Sequence, residues 1–387
     1  MVKAASKLVP GAPPDPQRLR LSRAALALGV AAAVLASGAA AYWARHKGTS
    51  PRPPLSAPPS ASSSAAPPPV DAGVVADAAP EFTYVETDGG NIPEQKAAML
   101  ENMTHVHRLK PEQRAAIERL FASSSWMGQG NPEVTVHPMS RDECREIREK
   151  NSQAIAAGDP RCGSPYMVPL YDPAVGESAE QAKVCIDQYE FPDIPCEYPL
   201  IYARADEALE LCQAMGKRLC DAHEWEGGCA GALKPVDQEY AWGERRLMQE
   251  YLHNKEREIV WAYGKTKDHS KCATASRKSK GCLASGWECG SNTYPAGAFL
   301  ECKSPLGVYD QHGNAAEHMN LPLTPEELGS RGGSGDTEMK GSWFIFAKGE
   351  AHEDDCRWRG LAWHRSKVKD KNSHRNYHLG FRCCRDL

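Results

Sequence analysis

The 387-residue chain contains no CxxC pair, and none of its cysteines precedes Cys144. The first absence removes the ligand spacing that structural zinc sites usually show. The second excludes a lipoprotein anchor near the N-terminus. Basic excess is also missing: the formal net charge is −4. No overall positive field exists to hold nucleic acid, so nucleic acid is not an expected partner. No internal repeat is visible. What is present is cysteine in quantity, 14 residues, all between Cys144 and Cys384. An even number crowded into one part of a chain reads as a disulfide framework made in an oxidising compartment. The 32 Gly and 29 Pro point to a loop-rich fold. A composition of 41% hydrophobic and 25% charged residues is that of a globular protein, here of two or three domains.

Residues 24–43, AALALGVAAAVLASGAAAYW, carry no charge. A helix of that length spans about 30 Å, enough for a bilayer's hydrocarbon core. Lys3, Lys7, Arg18, Arg20 and Arg23 precede it, against a single Asp15, so residues 1–23 form a basic tail. The positive-inside rule keeps that tail in the cytoplasm and exports the rest. A membrane-anchored protein with its globular part in the periplasm or at the cell surface is expected, the apolar helix being its contact with the membrane. Ala39-Ala40-Ala41 also resembles a signal-peptidase site, so secretion after cleavage near Ala41 is the alternative.

Residues 44–80 are rich in Pro, Ala and Ser and form a semi-stiff spacer that cannot bury a core. Residues 81–160 read as a small helical subdomain. Met99, Leu100 and Met103 mark one helix; Pro111, with Ile117, Leu120 and Phe121, opens another; Ser140 and Glu143 form a capping box for a third. His105 and His107, two apart, point to different helix faces and read as surface histidines. Beyond Cys162 the pattern turns to short strands and turns. KVCIDQYEF is a strand leading to Pro192, Ala205 to Met215 an amphipathic helix stopped by Gly216, and Asp221 with Glu224 a further capping box.

Six stretches occur in an order that resembles the formylglycine-generating enzyme (sulfatase-modifying factor) family. They are VCIDQYEF from Val184, LCQAMGKRLCDAHEWEGGC from Leu211, YAWG from Tyr240, SPLGVYDQHGNAAEHM from Ser304, KGSW from Lys340 and LGFRC from Leu379. Residues 182–387 resemble the family's domain. The resemblance implies a loop-rich α+β fold related to C-type lectins, preceded here by the transmembrane helix, the spacer and the helical subdomain. It implies a Ca²⁺ site at Asp310, Gly313, Ala315 and Glu317; the alternation of side-chain and backbone oxygens suits that hard ion. Read alone, Asp310 and Glu317 would be a turn residue and a surface charge. Cys272 stands where the family's other calcium loop begins with Asn. The family's paired cysteines, carried over, imply Cys212 with Cys383 and Cys229 with Cys356.

Family enzymes oxidise a sulfatase cysteine to formylglycine with O₂ and a copper(I) held by two thiolates. The matching positions here are Ile345 and Glu350, neither a soft ligand, and no C-x4-C occurs anywhere. Copper is therefore not expected, nor is formylglycine-generating activity. A related class, the non-haem iron sulfoxide synthases, draws histidines from a helical bundle with HxxxH spacing. Here the helical part offers only His105, His107 and His137, although His352, His364, His374 and His378 cluster later. In the third class the scaffold presents a binding loop. Arg357, Trp358, Arg359, Trp363 and Arg365 would supply its anchors, Arg and Trp being typical of interfaces. The expected function is a binding or scaffolding module of the cell envelope, its partner an envelope protein, peptide or glycan. The alternative is a metal-dependent oxidoreductase or protein-maturation enzyme of the same superfamily.

Overall fold

The first helix begins where its sequence supplies a cap. Asn91 accepts from the Glu94 backbone N–H at 3.0 Å, and Glu94 accepts from the Asn91 N–H at 2.9 Å. This reciprocal box satisfies two donors that a helix start leaves open. The computed structural model describes residues 83–86, 90–151, 158–282, 286–360 and 366–387. The basic tail, the apolar stretch 24–43 and the spacer lie outside them, as do Trp363, His364 and Arg365. Among the described residues no helix is long and apolar enough to cross a membrane.

Helix α1 (Ile92–Val106), α2 (Pro111–Ser123) and α3 (Arg141–Lys150) come first. Strands β1 (Met167–Leu170) and β2 (Val184–Asp187) follow, then α4 (Ala205–Ala214), β3 (Arg218–Leu219) and α5 (Ala222–Ala230). Two further helices, α6 (Val236–Glu239) and α7 (Arg246–Glu256), precede a long irregular stretch. The chain closes with β4 (Ala316–Leu321), β5 (Asp336–Lys340), β6 (Leu379–Phe381) and β7 (Cys383–Asp386). The class is mixed α and β with much loop.

Two sheets organise these pieces. The four-stranded one has the order β1-β2-β7-β3, antiparallel throughout, with Ile186 opposite Cys384 and Leu219 opposite Cys383. The three-stranded one has the order β5-β4-β6, where β4 runs antiparallel to β5 and parallel to β6. Residues 78–387 form one compact unit. The early helices share its core: Met99, Met103, Ile117 and Phe121 pack in one cluster with Leu211, Cys212, Phe381 and Cys383. A second cluster gathers Ile186, Trp225, Val308, Met319 and Leu321 with Cys220, Cys229, Cys356 and Cys384.

All 14 cysteines are bonded in seven disulfides. Cys212 joins Cys383 across 171 residues, Cys220 joins Cys384 across 164, and Cys229 joins Cys356 across 127. The shorter bridges are Cys144–Cys196, Cys162–Cys185, Cys272–Cys302 and Cys282–Cys289. Successive strand residues face opposite sides of a sheet. Cys383 and Cys384 on β7 therefore staple one face each, the first into the core under α4 and the second into the core under α5.

Candidate functional site

After β5 the chain turns at Gly341, and Ser342 is buried between two partners. Its Oγ accepts from the Gly313 N–H at 2.9 Å and donates to Asp354 Oδ2 at 3.3 Å. This places the segment 343–350 beside the loop 310–317. Ile345 packs against the cluster of Ile201, Tyr202, Ala315, Phe344 and Tyr377. Glu350 is exposed and paired with Lys267 Nζ at 2.6 Å and His269 Nε2 at 2.7 Å. The hydrogen bonds from Lys267 and His269 hold its carboxyl below the usual range. A hydrocarbon and an ion-paired carboxylate thus occupy the two positions aligned with copper ligands.

An aromatic group surrounds them. Trp343 stacks on His378 with centroids 4.3 Å apart and meets Phe346 edge-on at 5.2 Å. His352 stacks on Trp358 at 4.5 Å and lies 5.1 Å from Phe346. Burial lowers the affinity of His352 for a proton. Trp343 is half-buried, and its indole Nε1 has no hydrogen-bond partner among the described residues. His352 and His378 therefore do meet around one tryptophan, the second stacked on its ring and the first tilted to it at 5.6 Å.

The expected binding loop divides. Trp358 is half-buried in the aromatic group, and Trp363 and Arg365 lie outside the described residues. Arg357 and Arg359 are not surface anchors: they are 1% and 0% exposed. Arg359 donates from Nε and Nη2 to Glu226 at 2.8 and 3.1 Å and lies over the Tyr240 ring at 4.6 Å. Arg357 donates to Glu239 Oε1 at 2.9 Å. Two guanidiniums of this kind are core cations whose charge is consumed inside the fold.

The residues of the expected calcium site are buried, Glu317 at the start of β4. Asp310 Oδ2 accepts from the Gly297 N–H, and Ala315 N–H donates to Glu190 Oε1 at 2.7 Å. Glu317 accepts from Arg382 through both oxygens at 2.6 Å and from Trp225 Nε1 at 2.9 Å. Gly313 has φ +76°, and a β-carbon there would lie 2.6 Å from the Ala273 backbone, so only glycine fits. Burial raises Asp310 to about 6, with Glu317 adding to it. Burial also raises Glu190 well above the carboxylate range, followed by the charges of Asp310 and Glu317. Three buried carboxylates face two guanidiniums, those of Arg382 and Arg148. The donors are oxygens of the type a hard cation takes. Those of Glu190, Asp310 and Glu317, however, already accept from Gly297, Asn314, Ala315, Trp225 and Arg382. The three carboxylates do not form one of the convergent ligand groups among the described residues. Glu317 would have to share its oxygens between that ion and Arg382, which the spare lone pairs of a carboxylate allow. Glu190, which the sequence reading missed, joins this group from VCIDQYEF. Cys272, at the place of the family's other calcium loop, is bonded to Cys302.

Three groups of potential metal ligands come close together among the described residues, none of them including Asp310 or Glu317. Cys229, His312 and Cys356 form one, and Cys220, Glu224 and Cys384 another. Their sulfurs are already joined in disulfides and offer no thiolate. The third is Glu226, Glu239 and His253, where Arg357, Arg359 and Lys340 already supply the positive charge. The histidines of the helical part do not converge. His107 bonds Pro192 O at 2.9 Å, while His137 bonds Thr293 O at 2.9 Å and stacks on Tyr198.

Residues 178–387, slightly more than half the chain, match the sulfatase-modifying factor enzyme 1-like domain. The chain belongs to that family, as a divergent formylglycine-generating-enzyme-like member. No curated protein matches it. A solved structure titled "Crystal Structure of CarF" is similar at 14% identity and a TM-score of 0.30, covering 57% of this chain and 97% of that one.

Proposed function

We propose that this chain is a non-catalytic member of its family, a binding or scaffolding domain held outside the cytoplasm by its N-terminal apolar segment. One observation carries the reading: Ile345 and Glu350 stand at the positions aligned with the copper ligands, and every cysteine is half of a disulfide. Copper(I) is selected by soft thiolates, and none is offered. The seven bridges support an oxidising compartment, consistent with export. The partly exposed rings of Trp343, His352 and Trp358, backed by buried Phe346 and His378, are the surface this reading assigns to a ligand. Calcium at Asp310, Gly313, Ala315 and Glu317 would brace that surface from behind.

The test incubates copper-loaded protein with a sulfatase-motif peptide under O₂ and reductant. The expected result is no conversion above a no-protein control, read as absence of the mass loss that accompanies formation of the aldehyde. Conversion would overturn the reading.

A further inference from the structure

A second concave site lies away from the aromatic group, where the helical part meets the family domain. The turn between α1 and α2, the loop at 160–166 and the end of β7 enclose a cleft of about 1080 Å³. That is the size of a site for a molecule of several rings, far more than a single inorganic ion fills. Three strong cations line it, Arg108, Lys110 and Arg385, and among the described residues no aspartate or glutamate does. None of the three has a carboxylate within ion-pair distance among the described residues. Arg141, Arg218, Arg246, Arg257, Arg357, Arg359 and Arg382, by contrast, each pair with a carboxylate.

The walls are built to hold these charges open. Arg108 and Tyr166, on opposite sides, both have left-handed backbone, with φ of 51° and 56°. Such conformations are costly for residues with a β-carbon and persist where the surroundings impose them. Arg385 is oriented by donating from Nη1 to Gly163 O at 3.0 Å. A β-carbon at Gly163 would come within 2.8 Å of that same nitrogen. Tyr84 and Tyr166, with Pro165, supply flat apolar faces.

We propose that this cleft binds an acidic saccharide, a short chain of uronic-acid units. Carboxylates on the sugar meet the unpaired guanidiniums and ammonium, and the apolar face of a pyranose lies on a tyrosine ring. An extended acidic peptide is the less suitable occupant, because no open strand edge lines the cleft to receive its backbone. β7, which carries Arg385, is already paired on both sides. The proposal goes beyond the non-catalytic reading and uses none of the residues near Ile345 and Glu350, so either can fail alone.

Calorimetric titration of the full chain with hexagalacturonate tests it. Saturable binding is expected, weakening at least tenfold between about 50 and 500 mM salt as screening takes hold. Arg108→Ala with Lys110→Ala should weaken it a further tenfold or more, and Tyr166→Ala should weaken it too. Arg108 and Lys110 are exposed, so an unchanged thermal midpoint in that double variant shows the fold intact. No binding at millimolar hexagalacturonate, or equal affinity for neutral maltohexaose, would overturn the proposal. So would tighter binding of hexaglutamate, or full affinity in the double variant.

Discussion

Arg359 illustrates how a single residue misleads when read along the chain. In CRWRG it looks like part of a basic, aromatic surface loop. Its partner, Glu226, lies 133 residues earlier, and no local pattern announces the pairing. Lys340 Nζ also donates to Glu226, at 3.0 Å, so one carboxylate on α5 anchors two cations from later segments. The capping box at Ser140, whose partner Glu143 lies three residues away, is by contrast open to view in the sequence. Removing Arg359 leaves Glu226 buried with half its compensation. Arg359→Ala is expected to destabilise the protein by about 3–5 kcal/mol. Denaturant unfolding measures this, and a loss below about 1 kcal/mol would show that the network is not a determinant of the fold.

At the scale of elements, β4 and β7 concentrate the design. β4 is buried along its whole length and carries Glu317 to Arg382, so the loop 310–317 is positioned by strand pairing as well as by its own turn. This separates two carboxylates that the family motif treats alike. Asp310→Asn keeps an oxygen for the Gly297 N–H but removes a charged ligand. It should lower the thermal midpoint in calcium and change little in chelator. Glu317→Gln should lower it in both, because Arg382 loses its partner. A specific ion at a hundredfold excess over its Kd stabilises by about 2.7 kcal/mol. Equal midpoints for the parent protein in calcium and chelator would remove the site. The family motifs mark both segments in the sequence, though not as strands. The sharing of a core between the early helices and α4 is not legible there, since apolar stripes show that a helix packs but not against what.

For the molecule as a whole, buried titratable groups set a pH window. His107 is pushed down to about 3, and His137, His223 and His312 to about 4, in each case chiefly by burial. The unfolded chain takes up these protons near 6.5 and the folded one does not. Their contribution is therefore complete above pH 6.5 and lost as the pH falls toward 4. Glu239 and Glu338 are raised to about 7 and Asp221 to about 8, again mainly by burial. The folded state keeps those protons where the unfolded one has released them, so their contribution is lost as the pH rises from about 4 through 8. Together these place the highest thermal midpoint near pH 6.5. A midpoint higher at pH 8.5 than at 6.5 would contradict the assignment.

The long bridges also have a meaning in time. Cys212, Cys220 and Cys229 emerge from the ribosome between 127 and 171 residues ahead of their partners. At about 5–20 residues per second, each thiol waits roughly 6 to 34 seconds. Throughout that interval Cys220 has Cys212 eight residues before it and Cys229 nine residues after it, both nearer than its native partner. A premature bond to either would have to be undone by thiol exchange before β7 could dock, a process that takes seconds to hours. The finished molecule is thus stapled through its last strand, while along its nascent chain these three cysteines lie nearer to one another than to their native partners.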